Sequence, residues 1–484
     1  MKRSAPATIE RTPPVHKPFE RLPSLSTQQQ QVVDAIAASK KSAFLTGAPG
    51  TGKTVCLQYL RRIFREQRKH VQTVGTTGIS ACPIGGRTIH SFFGIGTVLT
   101  EKTLSASVAK ILANPARLDA MKRLDIVILE EVSMLQPSLF KAVDELLRRV
   151  RGNPKPFGGL RFILVGDFFQ LAPVDPGNPT TFAFECETWK TLDPEFYEVT
   201  RNYRQNDGVS LSTIHYFVQR LMTGTFTQED ADRLNRFRHS GAKVSLFTTN
   251  AAKNETNKEM LTALCTPIKT FLARDSYTTE TNKFLLKNIL SPERLEIALG
   301  ARVIITRNLF LEVWTDKPKP HPAKKIKLPL FGANAIETFS VNNGDVGIVR
   351  GFDADGVPLV ALDRGCGRIV VRVPRVTWDI MDANETVMAS RSQHPLMLGW
   401  AMTVWKAQGM TIDSGAIVFE GEGSAGLVLT ALSRFRSCSE LRITGLTLDM
   451  VTRFEPERKR VAEFYKKARE KMRRGCGGAG GGGE

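Results

Sequence analysis

"GAPGTGKT", residues 47–54, decides how the rest of this chain is read. Gly47, Gly50 and Gly52 let the backbone curl until successive N–H groups point at one place, where a phosphate chain can sit. Lys53 then reaches the β- and γ-phosphates of a nucleotide, and the Thr54 hydroxyl faces Mg²⁺. A glycine-rich turn that resembles such a cradle by chance is the other reading, and the flanks separate the two. "SAFLT" (42–46) is a short β-rich run, and "VCLQYLRRIFREQ" (55–67) carries Val55, Leu57, Leu60, Ile63 and Phe64 at helical spacing. The glycines therefore join a strand to a helix N-terminus, where the dipole also favours anions. The sequence predicts a nucleotide site.

The 484 residues suffice for about three domains, and 42% hydrophobic content is that of a globular protein. No run of 18 apolar residues offers a membrane span. The first 21 residues contain acids and no apolar core, so they read as a Pro-rich disordered leader and not as a secretory signal. The Gly-rich end reads as a flexible tail. Seven scattered cysteines, with no C-x-x-C and no His at zinc-ligand spacing, predict reduced thiols in an intracellular compartment; nuclear, mitochondrial, viral and cytoplasmic settings are not separable. The net charge of +19 points to a polyanionic partner, with a solvated basic surface as the alternative. Much of it is local: residues 455–474 carry nine basic and four acidic side chains on a predicted helix.

Around the cradle, "LSTQQQQVVDAI" (25–36) opens with a helix cap at Ser26 or Thr27. A glutamine there suits an adenine edge, although spacing alone favours a polar helix face. In "VQTVGTTGISACPIGGRTIHSFFGIG" (71–96), Thr76, Thr77 and the amides around Gly78 suit sugar–phosphate contacts, and Phe92 or Phe93 could stack on bases. A buried turn with core aromatics fits equally well. "RLDIVILEEVSML" (123–135) ends an apolar strand on Glu130 and Glu131, which predicts one acid for Mg²⁺ and one to take a proton from attacking water. "RFILVGDFFQLAPV" (161–174) ends on Asp167 and Gln170, and Gln170 suits sensing a γ-phosphate or orienting water. Strands at 42–46, 71–76, 124–129 and 161–166 predict a parallel α/β sheet with the cradle at one edge. Runs at 243–250, 300–308, 414–420 and 441–446 predict a second α/β domain without a second cradle. Arg204 and Arg434 flank it, as arginines delivered across a cleft to a γ-phosphate or as surface residues. Residues 341–375 read as a small barrel-like β insert, preceded by a basic Pro-rich loop at 315–329.

In order along residues 22–446, "GAPGTGKT", "TTGISACPIGGRTIHSFFGIG", "VGDFFQLAPV", "FTTNAAKNETN", "VNNGDVGIVRGF" and "QHPLMLGWAMTVWKAQGMT" closely resemble the petite-integration-frequency (Pif) family of superfamily-one DNA helicases. The resemblance implies an α/β fold class: two RecA-like P-loop NTPase domains with parallel sheets, a small wedge insert in the first and a small β-barrel-like insert in the second. It implies a first domain at 22–200 with the wedge near 94–120, a second at 201–308 and 386–455, a β-rich insert at 309–385, and a basic helix and tail at 456–484. It implies ATP and Mg²⁺ as cofactors, with Gln29 at the adenine, Gly47, Gly50, Gly52, Lys53 and Thr54 at the phosphates, and Thr54 and Glu130 at the metal. Glu131 matches the catalytic acid, Gln170 the γ-phosphate sensor, and Arg204 and Arg434 the arginine fingers. Thr77, Gly78, His90, Phe92, Asn250, Trp405 and Lys406 are the candidate nucleic-acid contacts. The implied partners are single-stranded DNA and duplex with a 5′ single-stranded tail, with 5′-to-3′ movement by a monomer and no membrane. Four positions depart from the family pattern: Glu130 stands where the family has Asp, Trp405 where it has His, and Leu427 and Leu429 where it has Gln and Tyr. A nucleotide-gated nucleic-acid binding protein with weak hydrolysis is the alternative that Glu130 raises. A P-loop small-molecule kinase is the third reading, which the basic charge and second domain disfavour.

Overall fold

The computed structural model describes residues 23–477 apart from 77–86, 97–98, 174–178, 206–212, 240, 242–243, 281–282, 284–285, 287–288, 290, 308, 313–337, 342–344, 365–366, 382–386, 413, 422 and 425. The leader, Thr77, Gly78, the basic loop at 315–329 and the Gly-rich tail lie outside these residues.

The first α/β unit is a six-stranded, wholly parallel sheet. Its strands are β1 (Ala43–Thr46), β2 (Val71–Gly75), β3 (Arg87–Thr88), β4 (Ile126–Glu130), β5 (Arg161–Val165) and β6 (Glu195–Glu198), in the order β3-β2-β4-β5-β1-β6. β1 and β4 are buried along their whole length, as strands covered by helices on both faces must be. The cradle strand β1 is second from the edge, because β6 pairs outside it. β6 reads "EFYE" and is only half-buried, so it carries no apolar run for the sequence to announce. Helix α1 (Thr27–Ala38) starts on a capping box between Ser26 and Gln29, and α2 (Lys53–Glu66) starts directly from the cradle and buries Cys56, Leu57, Leu60 and Phe64. In the predicted wedge region, a helix at Glu101–Leu112 capped by Thr100 is followed by one at Pro115–Arg123 capped by Asn114.

The second α/β unit is a parallel four-stranded sheet ordered Ala401–Thr403, Val244–Phe247, Gly415–Val418, Leu441–Thr444. The strand predicted for it at 300–308 is found at Arg302–Ile305 in a different sheet. It pairs antiparallel with Val346–Phe352 and Leu396–Leu398, within a five-stranded sheet. An apolar run buried on both faces does not reveal its partners by periodicity. Here Gly399 lets the neighbouring strand approach, since a Cβ on it would stand 2.9 Å from Ile304 Cγ1. The antiparallel β body thus draws strands from 269 to 398, wider than the 309–385 span expected for the insert.

The last helix, Glu455–Gly477, leaves the second unit and docks on the first. Val461 and Tyr465 enter the core that holds Phe44, Phe168 and Trp189, and Phe464 stacks on Phe184 with ring centres 4.2 Å apart. Six of its nine cations, Arg458, Lys459, Arg460, Lys467, Arg469 and Lys471, have an acid within ion-pair distance, among them Glu185, Glu198 and Asp193 of the first unit. Three of these cations, Arg460, Arg469 and Lys471, pair with the first unit, so part of the local basic charge serves docking.

Candidate nucleotide site and nucleic-acid face

The cradle closes so tightly that side chains are excluded. A Cβ on Gly47 would stand 2.1 Å from the Val199 carbonyl oxygen, and one on Gly52, at φ +82°, would stand 2.4 Å from Gln29 Nε2. Gln29 is buried, with both ends of its amide satisfied by the protein. Nε2 donates to the Thr51 carbonyl at 3.0 Å, and Oε1 accepts the Ser26 N–H at 3.0 Å. Through these two bonds Gln29 braces the loop. Gly50 is held through its carbonyl, which accepts the Tyr203 N–H at 2.8 Å.

Lys53 donates to the Gly47 carbonyl at 2.7 Å and the Ala48 carbonyl at 3.2 Å. Burial lowers its pKa; the carboxylates of Asp167 and Glu131 act against that, and Arg204 and Arg434 add to it. Thr54 Oγ1 lies 3.3 Å from Glu130 Oε1, so the two residues assigned to the metal converge. Burial, with Glu131 adjacent, pushes the Glu130 carboxyl up to about 8. A hydroxyl beside a buried carboxyl group that forms no ion pair among the described residues is a hard-oxygen donor set that suits Mg²⁺ completed by phosphate oxygens. The residues present fit the ion. Glu131, at the strand end, adopts a left-handed backbone (φ +57°, ψ +48°), a conformation costing about 1–2 kcal/mol in a non-glycine residue. Thr76 Oγ1 donates to its carbonyl at 3.0 Å.

Gln170 is buried where the two units meet. Its Oε1 accepts from Arg434 Nη2 at 3.1 Å, and its Nε2 faces Asp167 Oδ2 at 3.5 Å. Arg434 is 2% exposed and also donates to the Thr430 carbonyl and Ser433 Oγ. Burial and the Arg204 charge lower its pKa, yet a guanidinium stays cationic at neutral pH. Arg204 reaches the Ser433 carbonyl at 2.8 Å. Its backbone is anchored by Asn202, whose Oδ1 accepts the Arg204 and Gln205 N–H groups while Nδ2 donates to Pro49 in the cradle. Lys53, Arg204 and Arg434 thus converge, and among the described residues none of the three forms an ion pair within 4 Å.

Two residues of this network escaped the sequence reading. The sequence presents Asp167 only as a strand end, although it faces Gln170 and its charge acts on Lys53. Tyr465 is 298 positions from Asp167 in sequence, and the signal available is the spacing of Val461, Phe464 and Tyr465 on one helix face.

On the predicted nucleic-acid face, Phe93 is wholly buried and belongs to the core. Phe92 is half-buried, edge-on to Phe93, with its carbonyl accepting from Arg117. His90 is half-buried, and burial lowers its pKa. In the second unit Asn250 is exposed at the start of a helix, and Lys253 donates to it at 3.4 Å. The Lys406 ammonium is held down by burial and by Lys253, so these lysines form a cationic pair. Trp405 is half-buried against the second core. Leu427 and Leu429 are buried in that core, which accounts for apolar residues there.

A family model described as PIF1-like helicase matches residues 24–232. ATP-dependent DNA helicase Pif1 of Psychrobacter sp. is 30% identical over 87% of this chain and 68% of that protein. Human ATP-dependent DNA helicase PIF1 is 31% identical over 92% of this chain, which spans 64% of the human protein's length. The crystal structure of Pif1 helicase from Candida albicans superimposes with a TM-score of 0.75 at 25% identity, covering 92% of this chain and 99% of that one. In sequence and in fold, the chain belongs to the PIF1-like helicase family.

Proposed function

We propose that this protein is an ATP-dependent DNA helicase that moves 5′ to 3′ on single-stranded DNA and opens duplexes bearing a 5′ tail. One observation carries the reading: Arg434 of the second α/β unit bonds Gln170 at the mouth of the first unit's phosphate cradle. Turnover that needs both units in contact is turnover coupled to their motion.

The cradle amides and Lys53 bind the triphosphate. Thr54 and Glu130 would hold Mg²⁺, which neutralises phosphate charge when bound. Glu131, turned into the site by its left-handed backbone, accepts the proton of the attacking water, and Gln170 orients that water. Arg204 and Arg434 stabilise charge that develops on the transferred phosphoryl group, an effect worth about 10³–10⁵ in rate in P-loop enzymes. Asn202 ties Arg204 to the cradle, so the finger and the phosphates keep register. His90 and Phe92 on the first unit and Asn250, Trp405 and Lys406 on the second supply the strand contacts, and alternating grip advances a monomer along DNA. The binding-only alternative is less well supported, because Glu130, with its extra methylene, still meets Thr54.

The test is unwinding of duplexes carrying only a 5′ or only a 3′ single-stranded tail, with ATP turnover followed in parallel. Only 5′-tailed duplexes should open. Opening of 3′-tailed duplexes alone overturns the polarity, and turnover without opening of either makes the protein a translocase.

A further inference from the structure

Tyr465 belongs to none of the motifs around the cradle, yet its hydroxyl is buried beside them. A phenol has one proton to give and two lone pairs. The Phe168 N–H donates to the hydroxyl at 3.0 Å, and the oxygen lies 2.9 Å from Thr46 Oγ1 and 3.3 Å from Asp167 Oδ1. A carboxylate only accepts, so the phenol proton goes to Asp167 and Thr46 must donate to the phenol. One proton assignment satisfies all three contacts.

Asp167 is 1% exposed. Its Oδ1 also accepts the Phe169 N–H at 3.1 Å, while Oδ2 faces Gln170 Nε2. A glutamine amide can be turned two ways. With a carboxylate at one end and the Arg434 guanidinium at the other, only one way is stable: NH₂ toward Asp167 and oxygen toward Arg434. The hydroxyl that fixes Asp167 thereby fixes the amide. It arrives on a helix that follows the second unit in sequence and still touches it, for Arg458 donates to the Met222 carbonyl at 3.1 Å.

We propose that Tyr465 is a positioning residue for nucleotide hydrolysis: through Asp167 it sets the orientation of the Gln170 amide, so docking of the last helix is a condition for turnover. This rests on the site being an ATP hydrolase, as read above.

Tyr465→Phe in the full chain keeps the ring among Phe44, Phe169 and Phe464 and removes only the hydroxyl. Loss of the hydroxyl also leaves the Phe168 N–H unsatisfied, so melting temperature falls whether or not the proposal holds and does not discriminate. With ATP and oligo-dT, kcat should fall about tenfold while KM for ATP stays within about twofold, the mark of an interaction made in the transition state. Affinity for ADP with aluminium fluoride should fall in step, with affinity for ADP unchanged. Asp167→Asn should reproduce the loss, and the double variant should be no worse than Asp167→Asn alone, because both act through one chain of bonds. A kcat within twofold of wild type, additive losses, or ADP and analogue affinities falling together overturns the proposal. Wild-type protein that binds the analogue no tighter than ADP overturns the hydrolase reading itself, and this proposal with it.

Discussion

At position 130 one methylene, about 1.5 Å of reach, separates the residue present from the aspartate of the family pattern. Glu130 uses that reach to bring Oε1 within 3.3 Å of Thr54 Oγ1. A shorter side chain on the same strand end would stop short of the hydroxyl, and Mg²⁺ tolerates little displacement of its ligands. Glu130→Asp should therefore slow DNA-stimulated ATP turnover at least about threefold and raise the Mg²⁺ concentration needed for half-maximal rate. Glu131→Gln supplies the dead reference. Faster turnover in Glu130→Asp would mean that the native glutamate is a displaced ligand. Wild-type turnover equal to the dead reference would transfer the protein to the binding-only class. Gly47, Lys53, Thr54 and Glu131 were legible in the sequence because their chemistry is bound to short spacings. Asp167 and Tyr465 were not, since what matters about them is a hydrogen bond between residues 298 apart.

Among the elements, the β body contains a titratable group that sets how it responds to acid. His394 is 3% exposed, and its Nδ1 lies 2.8 Å from the Val373 carbonyl, to which it donates. Burial pushes its pKa down to about 4 from an ordinary 6.5. The unfolded chain then binds a proton below pH 6.5 that the folded one refuses, so stability present above 6.5 is lost as pH falls toward 4. Over that window the loss is on the order of 3 kcal/mol. Hydrogen exchange of strands Val346–Phe352 and Pro358–Arg364 should quicken across this range, and His394→Gln should flatten the response. Parallel profiles for the two proteins would assign the acid sensitivity elsewhere. Strand identity followed from apolar runs for β1, β4 and β5. It failed for β6, which has no such run; for Arg302–Ile305 the strand was legible but not its sheet, because no local pattern names its partner strands.

Across the whole molecule, the two α/β units touch where Gly426, at φ +75°, starts the helix Leu427–Leu432. A Cβ there would stand 2.0 Å from the Gln170 carbonyl oxygen, backbone against backbone, with no side chain to swing aside. Gly426→Ala must push the second unit, and Arg434 with it, away from Gln170. A shift of about 1 Å can cost roughly 100-fold in rate, so kcat should fall at least about tenfold while nucleotide binding to the first unit persists. Turnover within twofold of wild type would mean that this contact is not the hydrolytic state. The last helix has a consequence of another kind, for biosynthesis. Phe44, Phe168, Phe184 and Trp189 form an aromatic shell that is complete only when Phe464 and Tyr465 arrive. During translation the first unit emerges early but stays unfinished while some 250 further residues are made, an apolar face open to solvent for the interval. The order of synthesis and the order of folding therefore run against each other in this chain, and nascent protein halted before residue 455 should bind chaperones through that face.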